Sequence, residues 1–117
     1  MGAMDATPLP VLALVRDLMF SSKITATARA VGVEVEVVRE PGMLGERKGR
    51  VLVVDLNLPG AIEAAAGWRG ANPGYRVVGF VSHVDTPSIQ RGREAGLEVM
   101  ARSRFVEALP ALLALPT

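Results

Sequence analysis

The sequence predicts an open α/β fold: a five-stranded parallel sheet in the order 2-1-3-4-5, with helices on both faces. Three observations carry this. Short apolar runs alternate with stretches of helical period along the chain, the mark of repeated strand–helix units. The run Val51-Leu-Val-Val54, which leads straight into Asp55, has no polar alternation and suits a strand buried on both faces. In Glu34-Val-Glu-Val-Val38, by contrast, acid and valine alternate. That strand is wet on one face or lies at an edge, where the order 2-1-3-4-5 puts it.

The first strand is Val11-Leu-Ala-Leu-Val15, ending at Arg16-Asp17. Phe20, Ile24, Ala28 and Val31 recur at helical spacing, and Gly32 closes that helix. After the alternating strand, residues 39–50 hold Pro41, three glycines and several charges. They read as a loop with at most one helical turn around Met43 and Leu44. About a dozen residues is short for a parallel crossover, so the second helix is shortened or absent. Pro59-Gly60 turns the chain out of the Asp55 strand. Ala61, Ile62, Ala65, Ala66 and Arg69 then outline a helix, and Trp68 on it is a packing residue. Asn72-Pro-Gly74 is a turn, followed by the strand Arg76–Val81 and then Ser82-His83. Thr86-Pro87 starts the next helix, with Thr86 as the capping hydroxyl. It runs to Ala95, stops at Gly96 and has a poor apolar stripe, so much of its surface should be exposed. Leu97–Ala101 is the fifth strand, ending at Arg102-Ser103. Phe105, Leu109 and Leu112 mark the last helix, and Pro110 inside it predicts a kink or a restart.

Composition narrows the function. The chain has 117 residues, half of them apolar, and a net charge of +1. That is one domain with an aliphatic core. The balanced charge gives no electrostatic case for nucleic acid or an acidic membrane. With no cysteine, disulfides and thiolate metal sites are excluded. No apolar run is long enough to span a bilayer, and a cytoplasmic location is expected. Residues 1–4 read as an expression-vector scar and 5–117 as the domain.

The strand ends gather chemistry on one edge of the sheet: Asp17, Asp55, Ser82 and Arg102. Asp55-Leu-Asn-Leu-Pro59-Gly60, Gly79-Phe-Val-Ser-His-Val-Asp85 and Arg93-Glu-Ala-Gly96 resemble, in order and spacing, the response-regulator receiver domain family, over about residues 9–115. The resemblance implies a flavodoxin-like (CheY-like) fold and a place in two-component signalling or phosphorelay. It implies Asp55 as the phosphoacceptor position, Ser82 as the switch position and Arg102 at the conserved-lysine position. It also implies a Mg²⁺ site made by Asp17, Asp55 and the carbonyl of Asn57.

The sequence departs from the family pattern. Arg16 replaces the first acid of the acidic pair beside Asp17, Arg102 replaces the lysine, and Ser103 replaces the proline after it. Two acids facing two arginines balance to a net charge near zero, so the pocket does not call for a divalent cation. An Arg16 guanidinium that forks onto Asp55 would close it. The expected function is a receiver-like signalling domain that binds other proteins without Mg²⁺-dependent phosphorylation. The alternative is a conventional receiver phosphorylated on Asp55. Neither is an enzyme in its own right, and no cofactor is expected unless Mg²⁺ binds in the second case. The expected partners are signalling proteins, met through the Thr86–Ala95 helix, the fifth strand and the last helix; the chain itself is a monomer or weak homodimer. A small flavodoxin-shaped enzyme or nucleotide binder lacks support. Gly42 to Gly49 has the wrong spacing for a phosphate loop, and Ser82 and His83 are adjacent on a strand and point apart.

Overall fold

The computed structural model describes residues 9–81 and 85–114. Its elements are β1 (Val11–Leu14), α1 (Leu18–Ala30), β2 (Val35–Val38), a 3₁₀ turn (Pro41–Met43), β3 (Val51–Asp55), α2 (Ala61–Ala71), β4 (Arg76–Val81), α3 (Thr86–Glu94), β5 (Glu98–Ala101) and α4 (Arg102–Leu113). The five strands form one parallel sheet in the order β2-β1-β3-β4-β5, the order the sequence predicts.

Successive strand residues point to opposite faces, and here both faces are dry. Val11, Ala13, Val51 and Val53 pack with Phe20, Ile24, Phe105 and Leu109 of α1 and α4. Leu12, Leu14, Leu52 and Val54 pack with Ile62, Ala65 and Trp68 of α2 on the other side. This double burial is why the central strands carry no polar alternation. At the β2 edge, Val35 and Glu36 are half-buried, Val37 is exposed and Val38 is buried.

A full helix is missing between β2 and β3, as the short crossover requires. The 3₁₀ turn stands in its place, and Leu44 plugs the core at 2% exposure, a burial that contributes about 2 kcal/mol. The Trp68 indole donates to the carbonyl of Arg47 at 2.8 Å. The Arg47 guanidinium donates to Glu36 and to the carbonyl of Met43 at 2.8 Å. The loop is thus pinned to α2 and to β2.

Two local expectations are corrected. The cap of α3 is Asp85, whose side chain accepts from the amide of Ser88, with Thr86 as the first helical residue. A carboxylate in this position also meets the positive end of the helix dipole. Secondly, of the kink or restart expected at Pro110, the restart does not occur: α4 runs on to Leu113. Leu109, Leu112 and Leu113 are buried on both sides of the proline. Arg50 closes the helix end by donating to the carbonyls of Leu113 at 2.7 Å and Ala114 at 2.9 Å.

α3 buries only Ser88 and Gly92, in keeping with its weak apolar stripe. Its seat is Leu56, the residue after Asp55, which fills the space left by two glycines. A Cβ at Gly79 would lie 2.7 Å from the Leu56 side chain, and one at Gly92 would lie 3.0 Å from it.

Candidate functional site

The parallel register brings the strand ends level. Leu14 lies opposite Val54, and Asp55 lies opposite Phe80. Arg16 and Asp17 follow β1, Asp55 closes β3 and Arg102 follows β5, all at the C-terminal edge of the sheet, where ligands of open α/β folds bind. Ser82 and His83 lie outside the described residues, as do residues 1–4.

Asp17 is the N-cap of α1. Its Oδ1 accepts from the amides of Met19 at 2.9 Å and Phe20 at 3.3 Å, two of the four donors a helix start leaves unpaired. Asp55 is half-buried. Its Oδ1 accepts from the amide of Asn57 at 3.0 Å, and its carbonyl accepts from Leu58, an aspartate turn that carries the chain off the strand. Asp55 and Asn57 each make further contacts.

The two arginines do not lie as the sequence suggests. Arg16 does not fork onto Asp55. Its guanidinium pairs with Glu40 at 2.5 Å, with both side chains about half exposed. Its carbonyl accepts from Arg39. The reason lies in the sheet: Leu14 pairs with Val38 in β2, so residue 16 lies level with residue 40. Strand order and register together could have found this pair. Arg102 is exposed, and its guanidinium carbon lies 4.3 Å from the ring centre of Phe20. Phe20 in turn packs against Phe80 and Phe105, with centroids 4.8 and 5.9 Å away. The first turns of α1 and α4 lie on the same face of the sheet, and this brings cation and ring together. No sequence spacing reports it.

Of the two carboxylates at this edge, Asp17 caps α1 through Oδ1, and in sequence Arg16 stands where the receiver pattern has a further acid. Among the described residues, no three of His, Cys, Asp and Glu gather to hold a metal. No described helix is long and apolar enough to cross a membrane.

By sequence, no family model and no curated protein matches the chain. By structure, it is similar to response-regulator receiver domains. The BeF3-activated receiver domain of DrrB superposes with a TM-score of 0.76 at 20% identity, over 92% of this chain and 95% of that one. A CheY-like receiver domain protein from Methanospirillum hungatei gives 0.75 at 14%, over 92% and 94%. A chemotaxis response regulator of Vibrio cholerae gives 0.74 at 18%, over 92% and 97%. The fold is the CheY-like receiver fold.

Proposed function

We propose that this chain is a receiver-fold signalling domain that acts by binding other proteins, without Mg²⁺-dependent phosphorylation of Asp55. The observation that carries the reading is the position of Arg102. In the receiver pattern this residue would be a compact ammonium beside the phosphoryl group; here it is a guanidinium resting on Phe20. The commitment of Asp17 to the α1 amides points the same way. The pairing of Arg16 with Glu40 does not, because it takes the neutralising guanidinium away from Asp17 and Asp55 and favours the alternative below.

The binding face is α3, β5 and α4. α3 leaves Gln90, Arg91, Arg93 and Glu94 exposed, and only Arg91 reaches another element, meeting Glu63 of α2 at 3.3 Å. Such a surface suits a polar, partly acidic partner. The domain works in the cytoplasm as a monomer or weak homodimer, and it has no enzymatic activity of its own.

Intact-mass measurement after incubation with Mg²⁺ and acetyl phosphate tests the chemistry. The expected result is no added phosphoryl mass. A phosphoryl adduct that Asp55→Asn abolishes would overturn the reading and establish the second one, a conventional phosphoacceptor. The half-buried Asp55 carboxylate at the end of the central strand favours that alternative. For the binding face, the expected result is that Arg91→Glu weakens capture of the partner. Undiminished capture by this variant would move the face elsewhere.

A further inference from the structure

The opposite end of the sheet, where the strands begin, carries a cleft of about 310 Å³ walled by Leu9, Lys48, Ala71, Asn72, Pro73 and Tyr75. We propose that it is a binding site for a small organic carboxylate with a flat apolar body. The inference is independent of any chemistry at Asp55.

The backbone of both walls is held by hydrogen bonds. On one side, the amide of Arg50 donates to the carbonyl of Pro10 at 2.9 Å. The backbone there lies so close to β1 that a Cβ at Gly49 would stand 2.6 Å from Leu12. The carbonyl of Arg47 is held by Trp68. On the other side, the Asn72 side chain donates to the carbonyl of Trp68 at 2.9 Å, and the amide of Tyr75 donates to the carbonyl of Asn72 at 3.2 Å. Trp68 thus ties both walls to one helix, through its indole on one side and its backbone carbonyl on the other. Fixed walls lower the ordering cost of binding.

Two polar groups remain to be used. Ion pairs among the described residues engage Arg16, Arg47, Arg76 and Arg91, and Lys48 enters none of them. No described group bonds the Tyr75 hydroxyl. No acid lines the cleft, so its charge is that of one ammonium. One cation and one neutral donor match a carboxylate, which carries one negative charge over two oxygens. A phosphate dianion asks for more donors than the cleft offers. Leu9, Ala71, Pro73 and the Tyr75 ring supply the apolar wall against which a flat ring would lie. The volume lies at the lower end of the range for small-molecule pockets, about 300–1,000 Å³.

The test is titration of the ¹⁵N-labelled full chain with benzoate, followed by amide chemical shifts. The expected result is saturable shifts centred on Lys48, Gly49 and Tyr75. Lys48→Gln should weaken binding about tenfold, and Tyr75→Phe about threefold. Both side chains are exposed, so both variants should fold; Lys23→Gln, a cation on α1, should bind as the parent does. Benzamide, which keeps the ring without the charge, should bind about tenfold more weakly. Absence of saturable shifts at these amides would overturn the site, as would a Lys48→Gln variant that binds unchanged. Equal binding of inorganic phosphate would overturn the ligand class.

Discussion

The Arg102 guanidinium lies 4.3 Å from the ring centre of Phe20, so the cation that ends the fifth strand is held by the first turn of α1. The contact joins the starts of two helices that also share one core cluster. In a double-mutant cycle in urea, Arg102→Ala and Phe20→Leu should couple by about 0.5–1 kcal/mol. A coupling of zero would mean that the guanidinium gains nothing from the ring.

Asp17 stabilises α1 whether or not any ion is present. Asp17→Ala should cost about 1 kcal/mol of unfolding free energy in metal-free buffer, and Asp17→Asn only a few tenths. Denaturation with and without Mg²⁺ checks this. A loss that appears only when Mg²⁺ is added would make Asp17 a metal ligand first.

Trp68 is the fastener of the helix-less crossover. Trp68→Phe keeps most of the apolar surface but removes the donor to Arg47 and shrinks a buried side chain. The expected loss is about 2 kcal/mol. Amide exchange should quicken first around residues 43–47, ahead of β1 and β3. Uniform acceleration across the sheet would show that the loop has no stability of its own to lose.

Acid should erase the contribution of one surface pair. The hydrogen bond from Arg76 holds the Glu98 carboxyl below its ordinary value; burial opposes it, and the charge of Arg76 adds a smaller effect in the same downward direction. A depressed folded pKa adds stability above the unfolded value, about 4.3, and that stability is lost as pH falls through the folded pKa. Arg76 is raised by the same bond, and its share would be lost only far above neutrality. Both side chains are about half exposed, so the pair contributes at most about 0.5 kcal/mol. The stability difference between the parent and Arg76→Gln should be present at about pH 7 and gone at about pH 2.5. A difference that persists in acid would trace to packing of the arginine stem.

The sheet was legible in the sequence because burial on two faces forbids polar residues. The runs around Leu12, Val53 and Val78 could be little else, and the alternation of Glu34 to Val38 marked the edge. The short segment 39–50 announced the missing helix by length alone. The site was legible as a set of residues at one edge, and illegible as geometry. Arg16 beside Asp17 looks like a partner for Asp55 until register sets it level with Glu40. Arg102 has no sequence neighbour to reveal Phe20. The α3 cap fell to Asp85 because an aspartate one residue earlier accepts the Ser88 amide and leaves Thr86 inside the helix. Pro110 was tolerated because long-range contacts, three buried leucines and the Arg50 fork, outweigh a local preference.

Leu56 is in effect the bearing beneath α3. With hydrogen atoms in place of side chains at Gly79 and Gly92, strand and helix close on it without slack. Leu56→Ala would therefore take away the support of strand and helix at one stroke, opening a gap beneath α3 directly beside Asp55.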